Sequence, residues 1–229
     1  MLKTIKGVFL GLWVLSSSLA WGGAAKVPCQ DFLAQGNTAT VIRLSDGDTI
    51  GLKNSLGTIS VRMLSIDTPE LHFKGQAQGT WGQSSADALA KLLKVGDVVE
   101  VEVEAEVCDR YGRMLAHIWK GKTNINLEMV KNADAVMYCI FPNEKYCRDY
   151  GAATEAAMKA KAGVFSDPKL ELPYLFRRRL DKRPADKWVG SLKDLKVYAP
   201  TEEAKVEVWD RIYFLDEPSI VPPYSQVSP

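Results

Sequence analysis

From Thr38 onward, apolar and polar residues alternate in short runs punctuated by turn residues. Thr38 to Leu44 is β-branched and reads as a strand, Ser45-Asp46-Gly47-Asp48 as a turn, and Thr49 to Lys53 as the return strand. Asn54 to Gly57 is a second turn leading into Thr58 to Ile66, which completes a three-stranded antiparallel meander. A polar, glycine-containing loop follows from Leu71 to Gln83. Ser84 is placed to cap a helix that runs to about Lys94, with Leu89, Leu92 and Leu93 on one face and Gly96 as its stop. Val99, Val101, Val103, Ala105 and Val107 then alternate with Glu100, Glu102, Glu104 and Glu106, the pattern of a strand with one apolar face and one solvated face. Cys108 to Arg113 is a tight connection into a strand from Met114 to Trp119. A short helix from Asn126 to Asn132, an extended stretch from Val136 to Phe141 and an alanine-rich helix from Tyr150 to Lys161 follow. Five strands, a helix after the third and helices at the end predict an α+β, mainly β fold. Its centre is a five-stranded barrel of the oligonucleotide/oligosaccharide-binding (OB-fold) type with about three helices.

Residues 1–25 read as a secretory signal peptide. Lys3 and Lys6 form its basic start, Gly7 to Leu15 its apolar centre, and Ser18-Leu19-Ala20 a small-residue cleavage site. The apolar run is short for a membrane span, which needs about 20 residues. The expected product is a secreted or periplasmic monomer with no stable membrane association after cleavage. The domain boundaries expected are 26–168 for the barrel domain and 169–229 for a C-terminal extension. In the extension the composition shifts to a basic run of Arg177, Arg178, Arg179, Lys182 and Arg183, which reads as a solvated or ion-paired face. Val206 to Phe214 could form one more strand, and the last dozen residues, rich in proline and serine, read as frayed.

Formal net charge is +1 over 229 residues, and removal of the leader lysines leaves 27 basic against 28 acidic side chains. A broad electrostatic footprint for nucleic acid is thereby excluded, so any phosphate contact must be local. Four cysteines, Cys29, Cys108, Cys139 and Cys147, are an even count that fits disulfides in an exported chain. Cys139 and Cys147 flank a short loop containing Pro142 and Asn143 and form the favoured pair, which leaves Cys29 with Cys108 by elimination. No CxxC occurs, and His72 and His117 stand at no zinc-ligand spacing.

The chemistry concentrates between Val61 and Glu70, an apolar run carrying Arg62 and ending in Asp67-Thr68-Pro69-Glu70. Arg62 and Asp67 are five residues apart, so an unbroken strand would send them to opposite faces. The strand must bulge or stop between them if they share a site, and Pro69 favours a stop. Asp48, Asp67 and a carbonyl near Thr68 are hard oxygen donors for a divalent cation. Arg62 and Arg113 can grip phosphate oxygens, and Glu70 can orient or deprotonate a water. Together these groups point to metal-assisted phosphodiester hydrolysis.

Three segments in order carry a specific resemblance. Asp46-Gly47-Asp48-Thr49, Arg62 through Asp67-Thr68-Pro69-Glu70, and Asp109-Arg110-Tyr111-Gly112-Arg113 together resemble the staphylococcal nuclease (thermonuclease) family. The resemblance spans about Thr38 to Asp167 and implies an OB-fold hydrolase, a calcium-dependent endonuclease acting on DNA and RNA and leaving 3′-phosphates. It implies Asp48, Asp67 and the Thr68 carbonyl as Ca2+ ligands, Arg62 and Arg113 as phosphate-binding arginines, and Glu70 as general base. It further implies Tyr111 and Tyr138 as substrate-binding residues. Ile140 stands where the family places a second pocket tyrosine, so base stacking should be weaker or arranged differently. The segment after Pro168 has no counterpart in the resemblance.

The alternative reading is a non-catalytic nucleic-acid-binding OB-fold module. Such a module has no use for Asp48, Asp67 and Glu70 together, because clustered carboxylates repel phosphate. His72 reads as an exposed loop residue and His117 as packed against the sheet.

Overall fold

The computed structural model describes residues 25–227, so the signal-peptide reading of residues 1–24 lies outside the described residues. The meander forms as expected: β1 (Thr38–Leu44), β2 (Thr49–Lys53) and β3 (Thr58–Met63) pair antiparallel in sequence. On its other edge β1 pairs with β5 (Val98–Glu102), which pairs with β6 (Met114–Lys120). Parallel pairing of Val61 to Met63 in β3 with Met114 to Ala116 in β6 closes the ring. The result is a five-stranded barrel with helices outside it. Its filling follows the alternation in sequence: Val41, Ile50, Leu52, Val61, Met114 and Ile118 are fully buried.

Several elements depart from expectation. The third strand stops at Met63 rather than Ile66. Leu64 N donates to Ala116 O, Ser65 turns through a left-handed φ of 63°, and β4 (Ile66–Asp67) leaves to pair with β8 (Val136–Met137). Helix α1 (Gly79–Leu92) starts five residues before Ser84. Ser84 is not its cap, and the neighbouring Ser85 is buried and donates to Asp134 O at 2.7 Å. The alternating Val99 to Val107 segment is strand only as far as Glu102, and of its four glutamates Glu100 is exposed as expected while Glu102, Glu104 and Glu106 are half-buried. Glu102 accepts from Trp119 Nε1 and Tyr146, and Glu104 accepts from Lys145 N and pairs with His117. His117 is wholly buried between Glu104 and Tyr150, whereas His72 is exposed. Two-residue β7 (Thr123–Asn124) precedes α2 (Ile125–Lys131), whose first turn is capped by the Asn124 side chain. Beyond β9 (Cys139–Ile140), α3 (Cys147–Lys159) starts three residues ahead of the expected Tyr150.

The extension is built onto the barrel domain. Its helix α4 (Pro173–Leu180) precedes strands β10 (Trp188–Ser191), β11 (Lys196–Tyr198), β12 (Arg211–Phe214) and β13 (Ser225–Gln226), which with β9 form a sheet in the order β13-β11-β10-β12-β9. Ile212 and Tyr213 pair parallel with Cys139 and Ile140, so a strand from the nuclease-like region is the edge of the extension's sheet. Leu192, Val197, Ile212, Phe214 and Tyr224 share one apolar core with the barrel residues. The expected Val206 to Phe214 strand is short because Val208–Asp210 forms a 3-10 turn before it. The last dozen residues are not frayed up to Val227. Tyr224 is buried and donates to Glu144 at 2.6 Å, and β13 pairs with β11.

Both expected disulfides are formed, Cys29–Cys108 and Cys139–Cys147, with Cα atoms 6.1 and 6.0 Å apart. Among the described residues no helix is long and apolar enough to cross a membrane.

Candidate active site

The β2–β3 register sets Thr49 opposite Arg62, which brings Asp48, one residue earlier, beside the guanidinium. Met63 N donates to Asp48 O at 2.8 Å and fixes the turn. The Asp48 carboxylate is held by Thr68, whose N and Oγ1 donate to Oδ2 at 2.9 and 3.0 Å. That approach requires Gly47, since a Cβ there would lie 2.8 Å from Thr68 Cγ2. The break at Ser65 delivers Asp67 to the same place. Arg62 bridges the two carboxylates, with Nη2 donating to Asp67 Oδ1 at 2.7 Å and Nη1 2.6 Å from Asp48 Oδ2. The second contact is an ion pair without a directed hydrogen bond, so Nη1 is buried with its hydrogen-bonding capacity unused.

Glu70 sits at the edge of this group. Its N donates to Gln78 Oε1 at 3.0 Å, and Gln78 N donates back to Glu70 O at 2.9 Å. The first turn of α1 packs directly on this backbone, because a Cβ on Gly82 would lie 2.4 Å from Glu70 O. Gln78 Nε2 also donates to Glu171 O at 2.7 Å, tying the Glu70 loop to the extension.

The residue that motif reading missed is Arg177 on α4. Its Nη1 and Nη2 donate to Asp67 Oδ1 and Oδ2 at 2.9 and 2.8 Å, and Nη1 also reaches Glu70 Oε1 at 2.5 Å. Arg177, Arg178, Arg179 and Arg183 of the basic run are ion-paired, in line with the ion-paired alternative, but one of them pairs with the candidate catalytic carboxylates. The helix is anchored by its neighbours. Tyr174 stacks on Tyr138 with ring centroids 5.1 Å apart, Arg178 pairs with Glu203 at 3.1 Å, and Arg211 Nη1 donates to both Tyr174 and Glu203. A single arginine within a run of three carries no sequence signal that singles it out.

Arg113, Tyr111 and Tyr138 line the same cleft as Asp48, Arg62 and Glu70, a cavity of about 780 Å³ walled on one side by the extension. Arg113 is held by Asp109, with Nε 2.6 Å from Oδ2, and lies 5.7 Å from the Tyr111 ring centroid. Tyr111 is 65% exposed at the rim. Tyr138 has one face taken by Tyr174 and leans on Tyr213 at 5.1 Å. Ile140 packs in that same cluster, so extension side chains fill the space beside it.

Electrostatics at the site are tightly coupled. Burial, reinforced by Asp48, pushes the Asp46 carboxyl up to about 7. Burial likewise lifts Glu70 above the ordinary carboxylate range, even with Arg177 beside it pulling the other way. Burial works against the charge on Arg62 and Arg177, but Asp48 and Asp67 around the first, and Asp67 and Glu70 around the second, more than offset it and hold both above the ordinary arginine value. The local excess of carboxylate is what a cation would relieve. The donor set of Asp48 and Asp67 carboxylates with the Thr68 carbonyl consists of hard oxygens suited to Ca2+. Among the described residues no three acidic, histidine or cysteine side chains form a closed metal cage, so protein side chains alone would not complete the coordination.

Known proteins similar to this chain are named as nucleases. The family model described as "Staphylococcal nuclease homologue" matches residues 60–167. Endonuclease YhcR of Bacillus subtilis is 37% identical over 185 residues, a match covering 76% of this chain but only 15% of that protein's length. A thermonuclease of Staphylococcus hyicus is 32% identical over 134 residues, covering 58% of this chain and 79% of the relative. A micrococcal nuclease of Shigella flexneri is 34% identical over 155 residues, covering 60% and 79% respectively.

Proposed function

We propose, for a chain that belongs to the staphylococcal nuclease family, that it is a calcium-dependent endonuclease cleaving phosphodiester bonds of DNA and RNA and leaving 3′-phosphates. The observation that carries this reading is the bridging of Asp48 and Asp67 by Arg62 beside a cleft that Glu70 and Arg113 also line. Asp48, Asp67 and the Thr68 carbonyl would hold the calcium ion, which when bound supplies charge to the phosphate oxygens.

The chain's own residues account for the rest. Arg62 lines the cleft, and its guanidinium, paired with Asp48 and Asp67 in the free site, is of the kind that grips phosphate oxygens. Arg113 presents a second guanidinium among the residues that line the cleft. Both stabilise charge that grows on the phosphoryl oxygens as the phosphorus becomes five-coordinate. Glu70, which burial makes more basic than an ordinary carboxylate, is suited in its ionised form to accept a proton from the attacking water. The P–O5′ bond then breaks, the departing 5′ oxygen takes a proton from solvent water, and the phosphate stays on the 3′ side. Tyr111 at the rim is free to contact the nucleotide. Two disulfides and the basic start of the chain support an exported protein, secreted or periplasmic.

The test is digestion of single-stranded DNA and of RNA by the purified chain from residue 26 onward, with calcium and with chelator. Cleavage is expected with calcium and none in chelator, and undiminished cleavage in chelator would remove the metal from the reading. Glu70→Gln is expected to lower kcat by a factor of about 10²–10⁴, the usual scale for a lost general base. A near-unchanged rate assigns proton transfer elsewhere.

A further inference from the structure

Asp67 is 0% exposed and accepts from two guanidinium groups, Arg62 and Arg177, which meet on its Oδ1. On the phosphodiesterase reading above, on which this inference rests, a divalent cation takes Asp67 in the working site. Two guanidinium groups and a dication on one carboxylate repel one another strongly where water is excluded. Arg62 is locked in the barrel by Asp48 as well as Asp67. Arg177 also pairs with two carboxylates, Asp67 and Glu70, but it reaches them from the extension rather than from within the barrel, and its side chain is the more exposed in the cleft, 22% against 14% for Arg62, so it is the group that yields.

Where it goes is constrained. Helix α4 is pinned by the Tyr138–Tyr174 stack and the Arg178–Glu203 pair, so the guanidinium moves while its backbone stays. A guanidinium largely shielded from water is costly without an anion. The anion that enters this cleft with the cation is the phosphodiester, and the planar fork that now grips Asp67 through two oxygens suits two phosphate oxygens equally well. We propose that Arg177 is a third phosphate-binding arginine of the nuclease site, supplied by the C-terminal extension. It covers Asp67 and Glu70 in the cation-free site and transfers to the substrate phosphate when the cation binds. Cation and nucleotide binding then reinforce each other, since each removes an obstacle to the other.

The experiment is calorimetric titration of the full mature chain and its Arg177→Gln and Arg177→Lys variants, first with calcium alone, then with deoxythymidine 3′-phosphate at saturating calcium. In Arg177→Gln calcium is expected to bind more tightly, because its competitor is gone. The nucleotide is expected to bind about ten- to a hundredfold more weakly, the scale of a lost charge-assisted pair. Arg177→Lys keeps the charge but not the fork and is expected to fall between in nucleotide affinity. It also carries the test if the glutamine variant does not fold. Nucleotide affinity unchanged in the variants overturns the inference, whether or not calcium binds more tightly, since Arg177 would then be a competitor or a structural clasp alone. A native chain that binds calcium and nucleotide confines that failure to Arg177. A native chain that binds neither overturns the nuclease reading and this inference together.

Discussion

Asp46 shows how strongly single residues here are shaped by their surroundings. Its carboxyl accepts from Asp48 N at 3.0 Å, and burial with the neighbouring Asp48 charge pushes it up to about 7 from an ordinary 3.8. Between those values the folded state keeps a proton that the unfolded chain has released. Stability therefore falls as pH rises through this window, with a slope of at most about 1.4 kcal/mol per pH unit from this one group. Asp46→Asn removes that contribution, so urea melts between about pH 4 and pH 7 should show the native chain losing stability relative to the variant as pH rises. Parallel curves would mean that Asp46 ionises normally. At this scale the sequence was legible wherever chemistry and local geometry coincide. The five-residue interval from Arg62 to Asp67 requires a break in the strand, and Ser65 makes it. Arg177 was not legible, because it lies 110 residues from Asp67 and only tertiary packing selects it from its neighbours.

Elements were legible in proportion to how plainly they alternate. β1, β2 and β6 are half-buried strands whose pattern and ends both show, whereas β4, β8 and β9 are two residues each and leave no periodic trace. The segment from Val99 to Val107 misled for a physical reason. Its glutamates look solvent-facing, yet Trp119, Tyr146 and His117 supply partners that only the folded chain brings near. The start of α1 was missed because a contact with Glu70 sets it, not a capping side chain. That contact is testable. In Gly82→Ala the new methyl would lie 2.4 Å from Glu70 O, so the helix or the Glu70 loop must shift. Overpacking of this kind costs about 1–3 kcal/mol, while displacement of a catalytic group by about 1 Å can cost roughly 10²-fold in rate. The expected outcome is a folded variant whose kcat falls by ten- to a hundredfold, read from steady-state kinetics beside a thermal melt. Full activity would show that α1 does not set the position of Glu70.

For the molecule as a whole, the sequence divides at about residue 168, but the core does not. The composition shift there is real, yet Ile212 and Phe214 are fully buried against residues that precede it, and β12 pairs with β9 across the boundary. Pattern reading cannot see this joint, because both partners are short strands far apart in sequence. Burying side chains such as Leu, Ile or Phe is worth about 1.5–3 kcal/mol each, against a total stability of about 5–15 kcal/mol for an ordinary domain. Leu192, Val197, Ile212, Phe214 and Tyr224 together therefore contribute a share comparable with the whole margin. A chain ending at Asp167 also loses Tyr174 and Tyr213 from around Tyr138, and Arg177 from Asp67. It is expected to melt well below the full chain and to bind a hydrophobic dye through the uncovered β9 face. A truncated chain that melts as high as the full one, without dye binding, would make the extension an independent attachment. The same comparison in the full chain with Phe214→Ala, expected to cost about 3–5 kcal/mol by the usual scale for a buried phenylalanine, separates loss of core packing from loss of the Arg177 clasp, since Phe214 reaches the core but makes no contact with Asp67.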